Sequence, residues 1–206
     1  MPFHDLTDVQ LDALKEVSNI GMGHAATALS QMIGQRIVLR VPRVSITEIS
    51  KVPEHLGGAE TLMVGVTLQI LGDARGSIML LFPQESAHRL LCCLLQREER
   101  TLVMTELTVS ALKEVGNILA SAYLSAIGNL LHKTLIPSVP LLSYDMAGAV
   151  VDYVLIDLSQ TGSLALMVET DFSGDDQGSR QIRGHFFLMP DPQTLDIFLR
   201  VVAGEP

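Results

Sequence analysis

The sequence predicts an α/β fold of the α+β kind, in which one helix–strand–hairpin–helix unit is built twice. Three observations predict it. One segment recurs at long range, apolar β-branched runs follow each copy and end at prolines, and runs with strand character are joined by turn residues. The recurrence is specific: Asp12-Ala-Leu-Lys-Glu16-Val-Ser-Asn19-Ile20 returns as Ser110-Ala-Leu-Lys-Glu114-Val-Gly-Asn117-Ile118, an offset of 110 − 12 = 98 residues. The same register carries Pro42 onto Pro140 and Ser45 onto Ser143. Composition does not produce a fixed register over such a distance, so the chain is read as an internal duplication.

Taken in order, Thr7 with Gln10 three residues on has the form of a capping box that opens the first helix. Leu14, Val17, Ile20 and His24 keep helical spacing to about Ile33, where Gly34 ends it. Thr105-Glu106 opens the matching helix, which runs to about Leu131. Each helix is followed by an apolar, β-branched run, over 36–41 and 134–139. Alternation over 61–70 predicts a strand, and Gly72-Asp73 turns the chain into a partner over 76–82. Their counterparts fall at 149–158, 163–170 and 182–189, with the polar stretch 172–180 as a longer hairpin loop. Both halves close alike, Phe82-Pro83 leading into a helix over 84–95 and Met189-Pro190 into one over 192–202. Such a unit has one sheet face to cover, so two units joined into a single domain over 1–206, with repeats of about 1–100 and 101–206, bury it economically.

Composition narrows the function. The 206 residues are 48% hydrophobic and 18% charged, which fits a compact chain with a substantial core. A net charge of −9, from 14 basic and 23 acidic residues, offers no basic surface for nucleic acid. No stretch approaches the ~18 apolar residues of a membrane span, and the N-terminus has no signal-peptide pattern. The only cysteines, Cys92 and Cys93, are neighbours and read as core fillers in a reduced, cytoplasmic chain. The six histidines show no ligand spacing, so no metal site is expected. Gly21-Met-Gly23 lacks a phosphate-loop pattern and reads as close helix packing.

The chemistry lies in the repeated polar residues. Asp12, Glu16 and Asn19 stand at i, i+4 and i+7 and share one stripe, opposite Ala13, Leu14, Val17 and Ile20. Ser110, Glu114 and Asn117 repeat the stripe against Ala111, Leu112, Val115 and Ile118. A single Glu-x-x-Asn is ordinarily a solvated helix face. Asn, however, is a mediocre helix former without a use for its amide, and here it occurs twice in register. No histidine or serine stands ready to form a nucleophile–base pair in both copies, and Ser110 in place of Asp12 disfavours paired carboxylates or a dedicated metal site. An amide can orient a water for in-line attack on a phosphoryl group, and a carboxylate can grip a cationic side chain. Together they make half of an active site, whose other half must come from a partner.

The pattern Asp/Ser, three residues, Glu, two residues, Asn, twenty-two residues, Pro resembles the signature of the CheC-type chemotaxis phosphatases, a family that includes CheX-like and FliY-like proteins. Asp12, Glu16, Asn19, Pro42 and Ser110, Glu114, Asn117, Pro140 both fit it. The resemblance implies a duplicated unit with pseudo-two-fold symmetry and an antiparallel sheet covered by helices. It implies hydrolysis of the aspartyl-phosphate of the response regulator CheY, with Asn19 and Asn117 orienting the water and Glu16 and Glu114 anchoring the regulator through its active-site lysine. Asp12 and Ser110 would support this binding, and Mg2+ would arrive with the regulator rather than on this chain. Two motifs in a chain ending at Pro206 favour a CheC-like monomer over FliY-like or CheX-like proteins, with the deamidase CheD as a further candidate partner. The rival reading is a non-catalytic module that sequesters phosphorylated regulator, or a flagellar-switch adaptor, which would keep the Glu pair but have no need of both Asn amides.

Overall fold

The computed structural model describes residues 7–34, 36–41, 43–96, 101–158, 164–174 and 182–191, together with 193, 194, 196 and 197. The first half runs α1 (Asp8–Ile33), β1 (Ile37–Arg40), β2 (Val44–Glu48), a 3-10 turn (Ile49–Lys51), α2 (Val52–His55), β3 (Leu62–Gly72), β4 (Gly76–Pro83) and α3 (Gln84–Leu95). The second runs α4 (Glu106–Leu131), β5 (Leu135–Pro137), β6 (Leu141–Met146), α5 (Ala147–Leu158), β7 (Leu164–Gly174) and β8 (Ile182–Pro190). The two long helices obey the duplication at both ends, since 106 − 8 and 131 − 33 both equal 98.

Local chemistry sets those ends. Gln10 N donates to Thr7 Oγ1 while Thr7 N donates to Gln10 Oε1, so the box at the start of α1 is complete. Thr105 and Thr108 make the same reciprocal pair for α4. Gly34 ends α1 at φ 72°, a left-handed conformation that costs glycine little.

All eight strands join one antiparallel sheet in the order β1-β7-β8-β4-β3-β5, with β2 also on β7 and β6 also on β3. Exchange each strand with its duplicate and the order reads the same from the other end, which is the pseudo-two-fold. The halves exchange strands across this symmetry. β1 and β2 of the first half pair with β7 of the second, and β5 and β6 of the second pair with β3 of the first. The β4–β8 ladder closes the centre.

The sheet is buried on both faces. Val64, Val66, Leu68, Ile78, Leu80, Phe82, Phe186 and Leu188 meet Leu14, Leu29, Leu112, Leu119 and Tyr123 of the long helices. The alternate residues Met63, Met79, Leu81, Met167, Phe187 and Met189 meet Ile49, Val52, Ala147, Val150 and Val151. With both faces apolar, β4 and β8 read in sequence as near-continuous hydrophobic runs.

This second layer corrects the expectation of one covered face. It also corrects the strand expected at 149–158, which is α5. Ala147, Val150 and Val151 are buried at helical spacing, so α5 is the counterpart of the 3-10 turn and α2, again 98 residues on (147 − 49). Strands β2 and β6, not anticipated as elements, complete each unit. Ile20, placed on the core side by its spacing, is 55% exposed, because α1 buries only a narrow stripe from Leu14 through Ser18, Gly21 and Ala25 to Ile33. Cys92 is half-buried and Cys93 exposed, so Cys93 is no core filler. Of the hairpin loop expected at 172–180, residues 172–174 belong to β7, and 175–180 lie outside the described residues. Of the closing helix at 192–202, only 193, 194, 196 and 197 are described, and they are helical. Among the described residues no helix is long and apolar enough to cross a membrane.

Tyr123 is the largest of the fully buried side chains, 1% exposed, with its ring 4.5 Å from that of Phe186. Burial pushes its phenol up to about 12, against a smaller opposing effect of the hydrogen bond from Ser18. The folded protein therefore holds a proton that the unfolded chain releases near pH 10, and the associated stability is present below that pH and lost as pH rises towards 12. Between pH 10 and 12 the wild-type protein should lose on the order of 2 kcal/mol more than Tyr123→Phe, measured by urea denaturation at a series of pH values.

Candidate active site

The repeated polar stripes lie on the outer faces of α1 and α4. Asp12, Glu16 and Asn19 are exposed on α1; Ser110 and Glu114 are exposed on α4, and Asn117 is half-buried. None of the six side chains makes a hydrogen bond or ion pair with a described residue. Asn in a helix interior costs up to ~0.7 kcal/mol relative to Ala, and neither amide recovers that in a hydrogen bond to a described residue.

The second set stands in a formed cleft. Glu106, Val109, Ser110, Lys113, Glu114 and Asn117 of α4 make one wall, and Pro137, Ser138, Val139 and Pro140 make the other, around an open volume of about 610 Å³. The second wall is the β5–β6 connection, and the sheet holds it in place. Ser138 N donates to Gln69 O and Gln69 N donates to Ser138 Oγ, each at 2.9 Å. Nearer the helix, Thr134 N donates to Asp73 Oδ2 at 2.8 Å and Asp73 N to Thr134 O at 2.9 Å. Pro140 therefore serves the site by shaping this wall, which gives the long gap in the motif a spatial meaning.

The first set shares the helix stripe, but its proline, Pro42, lies outside the described residues. Both sets have apolar neighbours on the surface: Val9 is 76% and Ile20 55% exposed beside the first, and Val139 is 81% exposed beside the second. A polar group with an apolar margin suits a protein surface as partner.

Sequence reasoning did not single out Lys113, which lines the cleft on the same stripe as Glu114 and Asn117. Its recurrence as Lys15 within the duplicated segment was the available signal. Val139 likewise recurs as Val41 before the motif proline, whereas Val109 and Glu106 answer to Leu11 and Asp8 and carried no identical repeat. Among the described residues no group of three His, Cys, Asp or Glu side chains is placed to hold a metal ion.

Comparison with known proteins agrees with this anatomy. The CheC-like family matches over residues 9–46 and 109–144, one stretch in each half, each containing a full stripe and its connection into the sheet. The CheY-P phosphatase CheC of Bacillus subtilis is 34% identical over 197 residues, covering 94% of both chains. The crystal structure of Thermotoga maritima FliY superposes with a TM-score of 0.79 over 98% of this chain and 100% of that one, at 19% identity. A CheC-like superfamily protein from Shewanella shares the fold at a TM-score of 0.55 and 9% identity, over 85% of this chain and 97% of that one.

Ser138→Ala removes the acceptor for Gln69 N and should cost about 1 kcal/mol. Amide exchange at Gln69 should then be roughly fivefold faster, with the core strands unchanged.

Proposed function

The chain belongs to the CheC-like family, and we propose that it hydrolyses the aspartyl-phosphate of a CheY-type response regulator at two sites. The observation that carries this reading is the likeness, over 94% of both chains, to a protein named as a CheY-P phosphatase, with the carboxylate–amide pair present in each half. Asn19 and Asn117 each accept from and donate to one water, turning its lone pair towards phosphorus. A P–O bond forms to that water and the P–O bond to the aspartyl carboxylate breaks. The water's protons leave on inorganic phosphate, and the free carboxylate stays on the regulator.

Positioning and electrostatics dominate such a transfer, so a rigid helix face is an adequate half-site. Mg2+ belongs to the phosphorylated regulator and arrives with it. Glu16 and Glu114 pair with a cationic side chain beside the phosphoryl group, a charge-assisted contact, while Asp12 and Ser110 support the docked regulator. The apolar margins at Val9, Ile20 and Val139 favour a macromolecular substrate over a small phosphate ester. The same reading extends to one domain of two repeats, on the strength of the duplication, and to a cytoplasmic setting, on the reduced neighbouring cysteines; a monomeric state and a CheD-type deamidase as second partner rest on the family resemblance.

Asn19→Ala combined with Asn117→Ala should leave regulator affinity unchanged and lower turnover by ~100-fold or more, since misplacing the attacking group by ~1 Å costs about that much. Unchanged turnover in that protein contradicts the mechanism. Glu16→Gln with Glu114→Gln should instead raise KM about tenfold, the equivalent of one charged hydrogen bond of ~1.5 kcal/mol, read from initial rates over a range of phosphorylated regulator concentrations.

A further inference from the structure

The two sites are duplicates in sequence, but their supports are not. At three buried positions of the two long helices the duplication fails: Ser18 answers to Gly116, Gly21 to Leu119, and Ala25 to Tyr123, each pair 98 apart. Ser18 and Gly116 are both small, whereas Leu119 and Tyr123 of α4 stand where α1 has the small Gly21 and Ala25. Tyr123 crosses the seam between α1 and α4, and a Cβ added to Gly21 would stand 2.6 Å from Tyr123 Cδ2, so only glycine permits the approach. Beyond Gly21 the Tyr123 hydroxyl meets Ser18 Oγ at 3.1 Å, both side chains being 1% exposed. Gly116 does something different. It lies flat on the sheet, where an added Cβ would be 2.4 Å from Val66 Cγ1.

Ser18 immediately precedes Asn19, and Gly116 immediately precedes Asn117. The second amide is thus set by backbone pressed against β3. The first is set by a directional hydrogen bond to another helix. We propose that the Ser18–Tyr123 pair fixes the rotation of α1 about its axis and is the positioning element of the first site alone, an inference that rests on the reading of Asn19 as the residue that orients the water.

Geometry decides why a hydroxyl pair matters here. Leu14, Met22 and Leu29 of α1 pack into the core, but Ser18, Gly21 and Ala25 between them are small and add little side-chain shape beside Asn19 to resist rotation. A side-chain tip on a helix lies ~5–6 Å from the axis, so a rotation of ~10° carries the Asn19 amide about 1 Å, the scale at which catalysis loses about two orders of magnitude. A buried hydroxyl pair restricts that rotation because hydrogen bonds weaken steeply with angle and no water can replace the partner. Tyr123 is itself fully buried on α4 and packed against Phe186. It lies six residues beyond Asn117, whose own backbone rests on β3.

The test uses the full chain and a Mg2+-loaded, phosphorylated CheY-type receiver. Tyr123→Phe is made in an Asn117→Ala background, which isolates the first site, and in an Asn19→Ala background, which isolates the second. In the first background kcat should fall tenfold to a hundredfold with KM unchanged; in the second both should stay within about twofold. Ser18 can then turn its hydroxyl to the carbonyl four residues back, so the Phe variant should fold. Ser18→Ala with Tyr123→Phe removes both polar groups, leaves neither orphaned, and should reproduce the site-selective loss. A fall in both backgrounds, a fall in neither, or a rise in KM in place of a fall in kcat overturns the positioning role. Full turnover in Asn19→Ala/Asn117→Ala is a different failure: it overturns the reading of the amides, and the proposal with it.

Discussion

The packing of α1 against α4 is the constraint on which the rest depends. Each helix needs to bury one stripe, and each has a polar stripe with no use inside the fold. Putting the two helices side by side over the sheet buries Leu14, Met22, Ala25, Leu29, Leu112, Leu119 and Leu124 in one cluster. The Glu and Asn of each copy are then left facing outward by helical geometry alone. At roughly 25 cal/mol per Å² of apolar surface removed from water, this burial provides the rigidity, and the polar residues take their positions from it.

Exchange of strands between the halves carries that rigidity into the site. β5 and β6 leave the second helix and pair with β3 of the first half, so the connection between them, residues 138–140, is held by Gln69 over the start of α4. A second half folded alone would have no β3 to fix that wall. Duplication with exchange therefore does more than bury a surface. It makes α4 depend on the other half for the loop that completes its cleft, and the seam residues Ser18, Gly21 and Tyr123 then make the two copies mechanically unlike.

Much of this was legible in the sequence, and what was not has physical reasons. The long helices could be read to the residue because their caps are local: Thr7 with Gln10 at one end and Gly34 at the other. β4 and α3 were equally plain, Pro83 separating a strand from a helix. α5 was misread because Val150, Val151, Tyr153 and Ile156 are β-branched or aromatic, and such residues favour strands when only local propensity is weighed. The deciding fact is long-range. β3, β4, β7 and β8 expose a second apolar face that requires a cover, and Ala147, Val150 and Val151 provide it at helical spacing. The Glu–Asn stripes were legible because i, i+4 and i+7 fix a face without tertiary information. The cleft was not, since Val139 and Pro140 reach Glu114 and Asn117 only after the chain has folded back on β3. Ile20 shows the same limit: its spacing fits the core, but α1 turns only a narrow stripe to α4.

The central claim is that these paired stripes turn over phosphorylated regulator and do not merely hold it. Loss of phosphate from a Mg2+-loaded, phosphorylated CheY-type receiver, followed with this protein at a small fraction of the receiver concentration, tests that most directly. We expect accelerated decay with many phosphates released per chain. Decay that is unchanged, or slowed in proportion to the protein added, would contradict catalysis and leave a surface that grips the phosphorylated regulator without hydrolysing it.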